Sequence, residues 1–138
     1  MKSLKKIVSI LTIFVLSNSL LGQQSFRCFS CDQKADIHIS VEYKNEKPIS
    51  IKYKNQPSNI PIVFIKGSTS FVEGYSTFSE SFNELINGKI NGKYIFTHSG
   101  NWDYIEYIRN DGYKLNFTID LEKSIDPERD SYRIHPCY

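Results

Sequence analysis

The 138-residue chain reads as mostly β: a single small antiparallel sandwich or barrel ending in a three-stranded meander. Three observations predict this. Several segments alternate apolar and polar residues with a period of two, as a strand with one buried and one wet face does. Asn, Gly, Asp and Pro turn chemistry recurs between those segments. Strong amphipathic helical segments are missing, apart from one ambiguous stretch.

The first residues read differently from the rest. Lys2, Lys5 and Lys6 flank and precede an apolar run, Ile7 to Leu16, broken by Ser9 and Thr12, and a small polar stretch, Ser17 to Gly22, follows. This is the layout of a cleavable signal peptide. The expected organisation is a signal peptide over residues 1–22 and one exported domain over 23–138, secreted or periplasmic. The apolar run is shorter than the about 20 residues a spanning helix requires. Gln23 stands where a lipoprotein signal needs Cys, and no later apolar run exceeds Ile60 to Ile65, so the domain is not expected to span a membrane. Of the 17 Lys and Arg, three lie in the leader; against 15 Asp and Glu, the remainder is slightly acidic and has no basic cluster. Nucleic acid is therefore excluded as an expected partner.

Taken in order, Ile37, Ile39, Val41 and Tyr43 alternate with His38, Ser40, Glu42 and Lys44, a half-buried strand. Asn45 to Pro48 supplies a turn, and Ile49, Ile51 and Tyr53 alternate through a second strand. Residues 55–61 read as a loop and Ile62 to Ile65 as a short buried strand. In residues 67–86, Phe71, Tyr75, Phe78, Phe82 and Leu85 fall at helical spacing, but Gly74 and many Ser and Thr favour strand and loop. The last third can be registered by asking which turn lengths keep apolar residues on one face. A two-residue Gly100-Asn101 loop pairs Phe96 with Ile105 and Tyr94 with Tyr107. A three-residue Asn110-Asp111-Gly112 loop, with Gly112 left-handed, pairs Tyr107 with Leu115 and Ile105 with Phe117. The outer rows are then Lys93–Ile108–Lys114, Ile95–Glu106–Asn116 and Thr97–Tyr104–Thr118.

Three cysteines suit an oxidising compartment with one disulfide. Cys137 is expected to bond Cys28 or Cys31, because that joins chain ends that otherwise fray. Cys28-Phe-Ser-Cys31 has the spacing of a redox pair but is expected at a free chain end before a strand, without the helix N-terminus that lowers a thiol pKa. With His135 the cysteines also make a Cys₃His set, although His-Pro-Cys is not a zinc-finger half. No metal or cofactor is expected.

His98 and Asp103 face each other in the meander register and invite comparison with a hydrolytic triad. Ser99, being adjacent to His98, points to the opposite face, so a nucleophile is missing. In layout alone, a secreted β domain with cysteines near both ends resembles small periplasmic enzyme inhibitors such as those against lysozymes. It carries none of their signature residues, and no site is transferred. The expected function is a non-catalytic exported binding domain, an enzyme inhibitor being one form of it, with a protein or cell-envelope component as partner. Its expected binding residues are Tyr104, flanked by Ile95 and Ile108, and Trp102 beside the Gly100-Asn101 turn. The alternatives are a small-molecule carrier with a hollow barrel and a hydrolase using His98 and Asp103.

Overall fold

The computed structural model describes residues 23–138; the expected signal peptide lies outside the described residues. Eight antiparallel strands form a closed up-and-down barrel in chain order: β1 (Gln24–Cys31), β2 (His38–Lys44), β3 (Lys47–Tyr53), β4 (Ile60–Val72), β5 (Tyr75–Ile86), β6 (Lys89–Ser99), β7 (Trp102–Arg109) and β8 (Lys114–Ile119). A one-turn helix α1 (Leu121–Ser124) and a short ladder of β9 (Ile125–Asp126) with β10 (Ser131–Tyr132) follow outside. No helix among the described residues is long and apolar enough to cross a membrane.

The meander has the expected register in both turns. Phe96 opposes Ile105 and Tyr94 opposes Tyr107, while Ile105 opposes Phe117 and Tyr107 opposes Leu115. Gly112 has φ +90°, the left-handed conformation that ends the three-residue loop. Period-two alternation sends these residues inward, where they meet Phe29, Ile39, Val41, Ile51 and Phe82 in one continuous core. Phe29, Tyr94 and Phe117 are fully buried, so side chains fill the interior. Towards one end of the barrel, Glu84 is also buried and accepts from Tyr94 Oη at 2.7 Å, Tyr107 Oη at 2.9 Å and Asn91 Nδ2 at 2.6 Å. Tyr53 Oη lies 3.0 Å from Tyr94 Oη, extending the network, so this buried carboxylate has the partners it needs.

Three expectations are corrected. The loop expected over 55–61 ends at Asn59, and the short buried strand expected over 62–65 is instead part of the 13-residue β4, where Ile62 is buried but Val63, Phe64 and Ile65 are exposed. Pro48 and Pro61 explain the departure. Neither has an N–H, and β3 pairs with β4 only at Ser50–Pro61 and Ile51–Ile60 before the strands part. Residues 67–86 are strand on both sides of a Glu73-Gly74 turn, as Gly74 and the Ser and Thr content favoured, so the helical spacing of their aromatics is incidental. The turn after β2 is narrower than expected: Asn45 and Glu46, both with positive φ, form it, and β3 begins at Lys47.

The third correction concerns Cys28 and Cys31, which lie within β1 rather than at a free end before a strand. β1 closes the barrel against β8 through Phe29–Ile119, Ser30–Thr118 and Cys31–Phe117. Beyond Ile119 the C-terminal segment completes the seam. Asp120 N donates to Cys28 O at 2.8 Å, Cys28 N donates to Ser124 Oγ at 2.8 Å, and Phe26 N donates to Arg133 O at 2.8 Å. The backbone groups that β8 leaves behind are thereby paired.

Candidate functional site

The turns Asn45-Glu46, Glu73-Gly74 and Gly100-Asn101 lie at one end of the barrel, which is open because β3 and β4 separate there. On the inner face at this end, His98 stands opposite Asp103 with Nδ1 and Oδ1 2.6 Å apart. Arg27, reaching in from β1, donates to Asp103 Oδ2 at 3.0 Å and to Glu46 Oε2 at 3.3 Å. Its guanidinium lies 4.1 Å from the Tyr43 ring centroid and 4.3 Å from that of Tyr132. Burial disfavours the charge, but Tyr43, Tyr132, Asp103 and Glu46 together hold the Arg27 pKa above its ordinary value. A pocket of about 210 Å³ beside this cluster is lined by Phe78, Glu80, Phe96 and Pro48 as well.

The expected pair is therefore formed, and Arg27 is a third member that the sequence did not suggest. Chemically the arrangement orients an imidazole and ties β1, β6 and β7 together across the opening. Ser99 Oγ pairs with Thr77 Oγ1 at 3.1 Å on the outer face, so it is not set against His98 as a nucleophile. Among the described residues, no group of three or more His, Cys, Asp or Glu is placed to hold a metal ion.

Cys28 bonds Cys137 with an S–S distance of 2.04 Å, across a sequence separation of 109 residues. Cys28 projects out of the barrel onto the C-terminal segment, where Cys137 N also donates to Ser40 Oγ at 3.1 Å. Cys31 projects inward and is a buried free thiol. The disulfide takes two of the four ligands of the Cys₃His set, while His135 is exposed. A disulfide of this kind fits an oxidising compartment.

The four expected binding residues lie on one outer face. Tyr104 is 42 % exposed and Trp102 is 47 % exposed; Ile95 and Ile108 are half-buried. The pairing registers extend this face beyond the meander into rows Ser70–Thr77–Ser99–Trp102 and Ser68–Ser79–Thr97–Tyr104–Thr118. Ser79 Oγ and Thr97 Oγ1 are 3.1 Å apart, matching the Thr77–Ser99 pair one row above. At the top of the face, Tyr75, Trp102 and Tyr104 surround a shallow depression floored by Ser99, Gly100 and Asn101. Tyr75, 62 % exposed, is the member that sequence reasoning missed. The signal was available: Tyr75, Thr77, Ser79 and Ser81 are alternate residues, as are Thr97 and Ser99. Read as neighbouring strands, they put hydroxyls on one face. No protein-family model, curated protein or solved structure significantly matches this chain.

Proposed function

We propose that the protein is an exported, non-catalytic binding domain that engages its partner through the barrel end carrying the β4–β5 and β6–β7 turns. One observation carries this reading: Phe71, Val72, Tyr75, Phe78, Trp102 and Tyr104, six exposed large apolar side chains, gather at that end around the two turns. Phe71 is 74 % exposed, Tyr75 62 % and Trp102 47 %. Such concentration on one part of a surface marks interaction sites. Tyr104 and Trp102 are its anchors, with Ile95 and Ile108 as half-buried flanks. The leader-like N-terminus and the Cys28–Cys137 disulfide support export. A filled interior weighs against a carrier that encloses its ligand, and the position of Ser99 against a Ser-His-Asp hydrolase.

The test is retention of the protein by cell-envelope extract of its native host. Replacing Tyr104 and Trp102 by Ala should abolish retention while leaving the circular dichroism and urea midpoint nearly unchanged, because both side chains lie off the core. Phe96→Ala serves as the control: Phe96 is buried edge-on against Phe82 at 5.2 Å, and its loss should cost about 3–5 kcal/mol of stability. Undiminished retention of the folded double variant contradicts the reading.

A second reading is favoured by the apolar groove of about 420 Å³ left where β3 and β4 part, lined by Pro48, Ile49, Ile62, Phe64 and Phe82. It suits an apolar small molecule held at the barrel wall rather than enclosed. Binding of a hydrophobic fluorophore that Phe64→Ala abolishes and Trp102→Ala leaves intact distinguishes it from the first.

A further inference from the structure

We infer that the outer face around Tyr75, Trp102 and Tyr104 binds an uncharged glycan whose sugar rings carry mainly equatorial hydroxyls. This rests on the binding-face reading above and names its ligand. A sugar of this kind presents two chemistries at once: a flat C–H face that packs on an aromatic ring, and a rim of hydroxyls that need both donors and acceptors. The face supplies both. Three exposed rings surround a depression of about 470 Å³ at the β6–β7 turn. Next to them run the hydroxyl pairs Thr77–Ser99 and Ser79–Thr97. Each hydroxyl has one donor and two acceptor lone pairs, so these pairs keep capacity for a ligand, and the Asn101 amide adds two donors and an acceptor. Gly100 leaves room at the floor: a Cβ built there would meet nothing closer than Tyr75 Cδ1 at 3.9 Å.

Charge decides between a glycan and a protein. A protein interface built on Tyr and Trp commonly adds Arg and a charged rim. The rows Thr77–Ser99–Trp102 and Ser79–Thr97–Tyr104 hold no ionisable group other than the tyrosine itself. The charges around these rows lie outside the depression: Glu73 in the β4–β5 turn before Tyr75, Lys66 and Glu106 one row further down, and Asp32, engaged by Thr118, at the edge. A depression lined only by aromatic rings, hydroxyl and amide groups, with the charges kept outside it, matches a neutral polyhydroxylated ligand.

Trp102 is the only tryptophan of the chain, so its fluorescence reports the site directly. The purified protein is titrated with β-1,4-linked hexamers of N-acetylglucosamine and of glucose, followed by fluorescence and by calorimetry. At least one hexamer should give a saturable shift of Trp102 emission. Tyr75→Ala and Trp102→Ala should each weaken calorimetric binding about tenfold, and Ile90→Ala, at the opposite end of the barrel, should leave it unchanged. Absence of saturable binding by either hexamer overturns the glycan assignment. Retention by a protein in envelope extract that depends on Tyr104 would then leave the binding face standing with a different ligand. Hexamer binding that survives loss of Trp102 and Tyr75 also overturns the assignment, because the sugar then sits elsewhere.

Discussion

Cys28 and Cys31 are three residues apart on β1, and a strand sends residues an odd number apart to opposite faces. The C-terminal segment lies outside the barrel, so only the outward cysteine can reach Cys137, and Cys31 is left in the core. Non-reducing peptide mapping should recover Cys28 linked to Cys137, and the remaining thiol should label only on unfolding. In the chain-entropy account, cross-linking a loop this long stabilises by about 5 kcal/mol, and Cys137→Ser should lower stability by that order. Fast labelling of a native thiol, or a Cys31–Cys137 peptide, contradicts the assignment. The tyrosines around Glu84 make a second prediction at this scale. Burial pushes Tyr53 up to about 12, and burial likewise raises Tyr94 and Tyr107. A tyrosine whose folded pKa exceeds its unfolded value near 10 contributes stability that is fully present below about pH 10 and is lost as pH rises through about 12. The urea midpoint should therefore be flat from about pH 7 to 9 and fall above about 10, with tyrosinate absorbance appearing in step with unfolding. Ionisation of these tyrosines without loss of structure contradicts their burial.

At the scale of elements, close approach of β6 to β7 depends on Gly92. A Cβ built there would lie 2.8 Å from Tyr107 Cε2 and 2.9 Å from Ile108 O, and the carbonyl belongs to the sheet and cannot swing away. Gly92→Ala should destabilise by about 1–3 kcal/mol, more than Ala at the open left-handed Gly112 position, and denaturant unfolding measures both. Equal midpoints for wild type and Gly92→Ala contradict the packing described. The β6–β8 meander was legible in the sequence because turn lengths are discrete and a one-residue slip turns a whole strand inside out. Tyr94, Phe96, Ile105 and Leu115 permit only one pair of loops. β1 was not legible, because both of its faces are covered. Phe26 and Cys28 point out beneath the C-terminal segment, while Arg27 points in, so no clean alternation remains. β4 was hidden for another reason. Val63, Phe64 and Ile65 have the composition of a core strand, and nothing local reveals that Pro48 and Pro61 leave the segment without a neighbour on one side. Tyr104 and Trp102 could be placed on the outer face from the meander alone; Tyr75 joined them only once β5 was known to be a strand.

For the whole molecule, the two ends of the barrel differ. One is plugged by Glu84 with its tyrosine and asparagine partners; the other is open, braced by Arg27 and Asp103, and carries the exposed Phe71, Tyr75, Phe78, Trp102 and Tyr104. The Cys28–Cys137 bond holds the C-terminal segment over the β1 seam away from the aromatic face, so closure of the fold and presentation of the face use different parts of the surface. Binding at the open end is the central claim. Amide hydrogen exchange, compared with and without the envelope fraction that retains the protein, tests it most directly. Slowed exchange should be confined to residues 74–79 and 97–104, with the turns at 87–88 and 110–112 unchanged. Protection centred on those opposite turns, or none on either side of the Gly100-Asn101 turn, would contradict it.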